Sequence, residues 1–292
     1  MTTIVLLALT GLGLGALYFL VASGLSLIFG LMRVLNFAHG AFLTLGAYLG
    51  WVVAQHVAGG SNAQFLLSLV AGTLTGATVA VATELLLIRP LYRREIDQVL
   101  VTVGLALMVV ALVSGLWGST AKPTAAPRWV GSVTSLAGAR IPNDRWLVIG
   151  AASVVLAGLL VFLRRTRYGL IVRAGVENRA MVTALGIDVR RAFTVVFAIG
   201  GAAAGLGGVL AGEYFHSISP SLGGSVLIYA FIVVVIGGLG SVVGSAAAAV
   251  LVGLLQQFAN YYAASGVGDL SVVLLLAVVL LTRPQGLLGR PA

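Results

Sequence analysis

The stretch "VLNFAHGAFLTLGAYLGWVVAQHVAGGSNAQFLLSLVAGTLTGATVAVAT", residues 34–83, contains no Asp, Glu, Lys or Arg. Roughly a quarter of the residues of a soluble globule are charged, so an uncharged run of this length marks a chain built for lipid. A helix needs about 20 predominantly apolar residues to cross the hydrocarbon core. The run therefore supplies two crossings, with "AGGSN" at 58–62 as the turn between them. Composition agrees: 60% of the 292 residues are apolar and 9% charged, and the mean hydropathy is +1.10.

The same reading extends in both directions. Residues 4–32 are uncharged and fit one long helix, tilted or broken. Single spans follow at 98–121, 146–163 and 192–212. The run from 214 to 268 is long enough for two spans broken at "GGLGS" (237–241), and "LSVVLLLAVVLLT" (270–282) makes a short last one. The expected fold class is an all-α polytopic membrane protein with nine transmembrane helices, or eight if one segment is re-entrant. The opening "MTTIVLLALTGLGLGALYFL" lacks a basic region, and its apolar run passes any cleavage point, so it reads as the first span and not as a removed leader.

Arginine bias in short loops sets orientation. "RPLYRREID" (89–97) has three arginines, Arg164 to Arg191 has seven, and the tail adds Arg283 and Arg290. These segments are expected in the cytoplasm, with "AGGSN", 118–145 and "EYFHSISPSLGG" (213–224) outside. The N-terminus is then out and the C-terminus in, which nine spans require.

Several function classes fall away. The formal charge of +9 lies in loops between apolar runs, so nucleic acid is not implied. Without cysteine, and with His39, His56 and His216 far apart, no metal site or other cofactor is suggested. There is no "GxSxG" and no "HExxH", so enzyme chemistry has no motif to rest on. The only lysine, Lys122 in "GSTAK", lacks the preceding glycine of a P-loop. Active transport by this chain would draw its energy from another subunit or from an ion gradient.

Polar groups near spans are candidates because they are costly in lipid and often functional. "RVLNFAHG" (33–40) is the densest cluster. Its Asn36 and His39 form either an ordinary cytoplasmic turn or irregular backbone lining a pathway or gate. Glu84, one turn before Arg89, reads as interfacial; Glu213 sits at an outer end, and Asp269 reads as the N-cap of the last helix. Gln256, Gln257 and Asn260 share a helical face that lines a pore or bonds a neighbouring helix. Glycines at i, i+4 spacing, such as Gly72 and Gly76 or Gly201 and Gly205, let helices approach closely, for static packing or for sliding.

"RAGVENRAMVTALGI" (173–187) is unlike its surroundings. Val176, Ala180 and Ala184, with Met181 and Leu185, give one apolar face; Glu177, Asn178 and Arg179 face away, and Gly186 is the stop. The segment is either an interfacial helix on lipid headgroups or a knob that docks into a groove on a soluble partner.

The chain resembles the branched-chain amino acid ABC transporter permease family of the LivH type nearly end to end. The resemblance is carried by "GLSLIFGLMRVLNFAHGAFLTLGAYL" (24–49), "RPLYRR" (89–94), "VTVGLALMV" (101–109), "TRYGLIVRAGVENRAMVTALGIDVRRAF" (166–193), "VVVIGGLGSVVGSAAAAVLVGLLQ" (233–256) and "RPQGLLG" (283–289). It implies an ABC importer permease fold in a single transmembrane domain over 1–292, with 164–191 as a cytoplasmic loop carrying a coupling helix. Glu177, Asn178, Arg179, Ala184 and Gly186 are assigned by resemblance to the ATPase contact, although Glu177 is followed by Asn178 and Arg179 where the general pattern has two alanines. The implied partners are a second related permease, two cytoplasmic ATPase subunits and a periplasmic substrate-binding protein, in a bacterial inner membrane. Branched-chain amino acids are the implied substrate. Relatives of this type also move other amino acids, amides, urea or small carboxylates, and an ion-coupled secondary transporter is the alternative from another class.

Overall fold

Ten α-helices carry almost all of the regular structure. The computed structural model describes residues 2–32, 35–56, 62–92, 94–124, 126–136, 138–184, 186 and 188–289. In chain order the helices are α1 (Thr2–Met32), α2 (His39–His56), α3 (Asn62–Thr83), α4 (Glu95–Trp117), α5 (Asn143–Arg165), α6 (Arg167–Ala184), α7 (Val189–Phe215), α8 (Leu222–Gly237), α9 (Val242–Tyr262) and α10 (Val267–Thr282). The expected turn at 58–62 lies outside the described residues except for Asn62, which opens α3. The break expected at 237–241 is present, with Ser241 capping α9 by accepting the Gly244 N–H.

By length and composition six helices suffice to cross a membrane: α1, α3 with its extension to Leu91, α4, α5, α7 and α9. The shorter α8 and α10 are equally apolar, and the 18-residue α2 packs among α3, α7 and α8. Among the described residues, six spanning helices and two shorter apolar ones bear out a polytopic all-α bundle. Among the described residues, four short strands lie at the end opposite the basic 89–97 and 164–191 segments, with Arg140 in one of them. β1 (Lys122–Pro123) pairs with β4 (Ser217–Ile218), and β2 (Val133–Leu136) forms a hairpin with β3 (Ala139–Pro142).

Helices α1 and α7 form the interior, while α4 and α5 turn most of their apolar surface outward. Leu100, Leu107 and Leu116 of α4 are exposed, as suits a helix whose solvent is lipid. Between helices the packing relies on missing side chains. A Cβ on Gly76 would run into the carbonyl of Gly201, one on Gly205 into that of Gly72, and one on Gly46 into Gly205 itself. Lipid gives helices no hydrophobic reason to associate, so close backbone contact does the work. Gly15 and Gly253 play the same part between α1 and α9.

Candidate functional site

The arginine-rich end of the bundle gathers most of the residues singled out above. Helix α5 stops at Thr166, whose backbone is extended and whose hydroxyl accepts the Gly169 N–H at 3.0 Å. The turn is tight because Gly169 lies on the Phe162 carbonyl, where no Cβ fits. Helix α6 begins at Arg167, six residues before the polar stretch that announced it, and it packs on α1, α5 and α7.

Of the expected apolar face, Met181 and Ala184 point away from the bundle, and the side chains of Val176, Ala180 and Leu185 lie outside the described part. Val172 and Val182 are the buried valines, and Gly175 rests on Leu31. Met181 is 62% exposed, Leu170 is 61% exposed, and Ala184 is exposed. At 100° per residue, Leu170, Met181 and Ala184 lie within one 60° sector opposite the buried valines. The helix thus presents an apolar stripe away from the bundle, among exposed Arg164, Arg165, Arg167 and Arg173. The side chains of Glu177, Asn178 and Arg179 lie outside the described part. Gly186 takes the left-handed conformation (φ +76°) expected of a helix stop, and its N–H reaches the Thr183 carbonyl at 3.0 Å. Asp188 then caps α7 by accepting the Arg190 N–H at 3.0 Å.

Asn36 and His39 are brought together in the turn between α1 and α2. The Asn36 carbonyl accepts the His39 N–H at 3.2 Å, and the Asn36 Oδ1 accepts that of Ala38 at 3.1 Å. Asn36 is 4% exposed and lines a small cleft with Met32, Gln98, Thr102 and Phe197. His39 is 0% exposed; its Nε2 lies 3.1 Å from the Val21 carbonyl, against Gly24 of α1, where a side chain would strike the ring.

Three polar clusters exceed what the sequence announced. Glu84, read from the sequence as interfacial, is wholly buried within the protein. A π-turn, Glu84–Ile88, ends α3, and its i→i+5 bond from Arg89 N–H to the Glu84 carbonyl stacks two residues that an α-helix would offset. Arg89 donates to both Glu84 oxygens at 3.2 Å, Thr194 of α7 donates to Oε2 at 2.9 Å, and the Tyr92 hydroxyl donates to Oε1. The i, i+5 spacing of Glu84 and Arg89 was the available signal.

Asp269 does not cap α10; Gly266 holds that position, and the carboxylate instead accepts from Gln256 at 2.6 Å. Gln256 in turn accepts from the Tyr18 hydroxyl at 2.9 Å, and Asn260 Oδ1 accepts from Gly266 and Gly268. Gln256 and Asn260 thus bond neighbouring segments. At the far end Asp144 pairs with Arg145 at 3.0 Å, and the Arg145 guanidinium lies over the Tyr214 ring. Glu213 is buried beside them, with no hydrogen-bond partner for Oε2 among the described residues.

Against known proteins, the profile of a family described as the branched-chain amino acid transport system / permease component matches residues 7–282. The chain is 28% identical to the high-affinity branched-chain amino acid transport system permease protein LivH of Salmonella typhimurium, over 96% of this chain and 94% of that protein. It is 29% identical to LivH of Escherichia coli (strain K12) and 29% identical to the permease protein BraD of Pseudomonas aeruginosa, with the same 96% and 94% coverage in each case. Among solved structures, PsaBC from Streptococcus pneumoniae in complex with Fab aligns at a TM-score of 0.49 and 12% identity, over 94% of this chain and 91% of that one.

Proposed function

The chain belongs to the branched-chain amino acid transport permease family, and from that premise we propose that it is the membrane-spanning subunit of an ABC importer for branched-chain amino acids. The observation that carries the reading is the match to LivH and BraD along almost the whole of both chains. In this reading a second, related permease completes the membrane part, two cytoplasmic ATPase subunits drive it, and a periplasmic binding protein delivers substrate across a bacterial inner membrane. Other amino acids, amides, urea and small carboxylates are the substrates to test against leucine, isoleucine and valine.

The arginine-rich end is the cytoplasmic one, since short basic loops stay inside. Helix α6 is then the coupling helix. Its exposed Leu170, Met181 and Ala184 suit a helix laid in a partner's groove, and Gly186 ends it. Glu177, Asn178, Arg179, Ala184 and Gly186 make the ATPase contact, and Asn36 with His39 shapes the cytoplasmic side of the pathway. Purification in mild detergent tests class and partners together: an ATPase subunit and a second permease should be recovered with the chain.

One observation favours a second reading. A buried carboxylate with an unpaired oxygen, Glu213, is a group that ion-coupled transporters use. In that case uptake would persist without nucleotide and collapse with the ion gradient.

A further inference from the structure

The seam between α3 and α7 is lined with glycine on both sides, Gly72 and Gly76 facing Gly201 and Gly205. Bare backbones approach closely there, and the side chains that enter the seam at those positions, Val209 against Gly72 and Ala80 against Gly201, are small. A polar contact at one end can reinforce the register of one helix along the other. At the arginine-rich end of the same two helices stands the Glu84 cluster. Arg89 grips both carboxylate oxygens, the Thr194 hydroxyl donates to Oε2 at 2.9 Å, and Arg89 Nη2 donates to the Thr194 hydroxyl at 2.9 Å. Tyr92 closes the fourth side and packs edge-on against Phe193, ring centroids 5.0 Å apart.

An ion pair between a buried Glu84 and a partly exposed Arg89 is a poor device for stability, because desolvating the carboxylate offsets much of the attraction. What a bidentate guanidinium does supply is geometry. Here it supplies it between a π-turn, a feature common at functional sites, and the second turn of α7. Thr194 lies six residues beyond Asp188, the cap of α7, and α6 packs on α7.

We propose that Glu84, Arg89, Tyr92 and Thr194 are positioning residues that fix the register of α7 on α3, so that a displacement of α6 is passed into the glycine seam. The inference rests on the reading of α6 as the ATPase contact. Without the clasp, α7 yields at its root, and motion of α6 is lost before it reaches the bundle.

Two conservative variants test this. Thr194→Val keeps the shape and removes the hydroxyl; Glu84→Gln keeps the shape and removes the charge. In the complete reconstituted complex both should assemble at the parent level, while substrate moved per ATP hydrolysed falls at least threefold. An unchanged ratio in both variants overturns the proposal, and so does a fall that merely follows loss of assembled complex. A second measurement is independent of any ATPase. Spin labels at Met181→Cys and Leu86→Cys, both exposed positions, should give a narrow distance distribution in the parent and a broadened one with Thr194→Val. Equal widths overturn the clasp. A parent complex that contains no ATPase subunit overturns the functional reading alone, and the label distances still decide the clasp.

Discussion

Asn36 and His39 show how a short polar turn between two apolar helices uses its side chains. Asn36 holds the first turn of α2 through Ala38, and His39 bonds across to α1 at Val21. Asn36→Ala removes the hydrogen bond to the Ala38 N–H, a net loss of about 0.5–1.5 kcal/mol, and His39→Ala leaves a hole beside Gly24. Both variants should assemble yet transport more slowly; uptake at the parent rate in both would reduce the pair to packing. Elsewhere the sizes of effects separate cleanly. Tyr18→Phe breaks one interhelical hydrogen bond to Gln256, and in a bilayer such bonds average about 0.6 kcal/mol, so the thermal midpoint in detergent should fall only slightly. Gly76→Val forces a branched side chain into the backbone of Gly201 and Gly205. Overpacking of this kind costs about 1–3 kcal/mol or more, and size-exclusion chromatography should show little folded monodisperse protein. A normal profile would mean that the α3–α7 seam is looser than described.

Among the elements, the spans were legible because lipid imposes one rule on all of them. Uncharged runs located α1, α4, α5, α7 and α9 to within a few residues, and "GGLGS" located the break after α8. Helix α6 was legible as a helix but not in extent. Val172, on its inward side, lies before the polar stretch, so a window that starts at 173 shows the outward apolar residues and not the buried ones. The Glu84 cluster was hidden for a related reason: α-helical counting offsets Glu84 from Arg89, and only the π-turn aligns them. The Asp269 contact with Gln256 was hidden because it joins two helices across a turn. For α6 itself the testable position is Gly186, whose left-handed backbone strains any side chain. Gly186→Val costs about 1–2 kcal/mol locally. Together with Glu177→Arg it should lower the ATPase subunit recovered with the chain while leaving the permease at its usual level. An interfacial helix would tolerate Glu177→Arg, since an anionic leaflet favours added arginine.

On the scale of the whole molecule, one end carries most of the arginines, α6 and the Glu84 cluster, and the other carries the paired strands, Arg140, Arg145 and the Glu213 recess. The tail after α10 belongs to the first end, where Leu287 and Leu288 donate to the carbonyls of Ile236 and Gly237 and so satisfy the last turn of α8. A single cysteine at Met181 in this cysteine-free chain should resist an impermeant reagent in intact cells and react after lysis; labelling in intact cells would invert the orientation. The central claim, that this bundle is an ATP-driven importer subunit worked through α6, is tested most directly in proteoliposomes. They would carry the complete complex with ATP on the α6 side, loaded binding protein on the other, and labelled leucine. The account predicts uptake that requires both ATP and binding protein and continues when ionophores abolish every ion gradient. Uptake without nucleotide that collapses with the ionophore would contradict it.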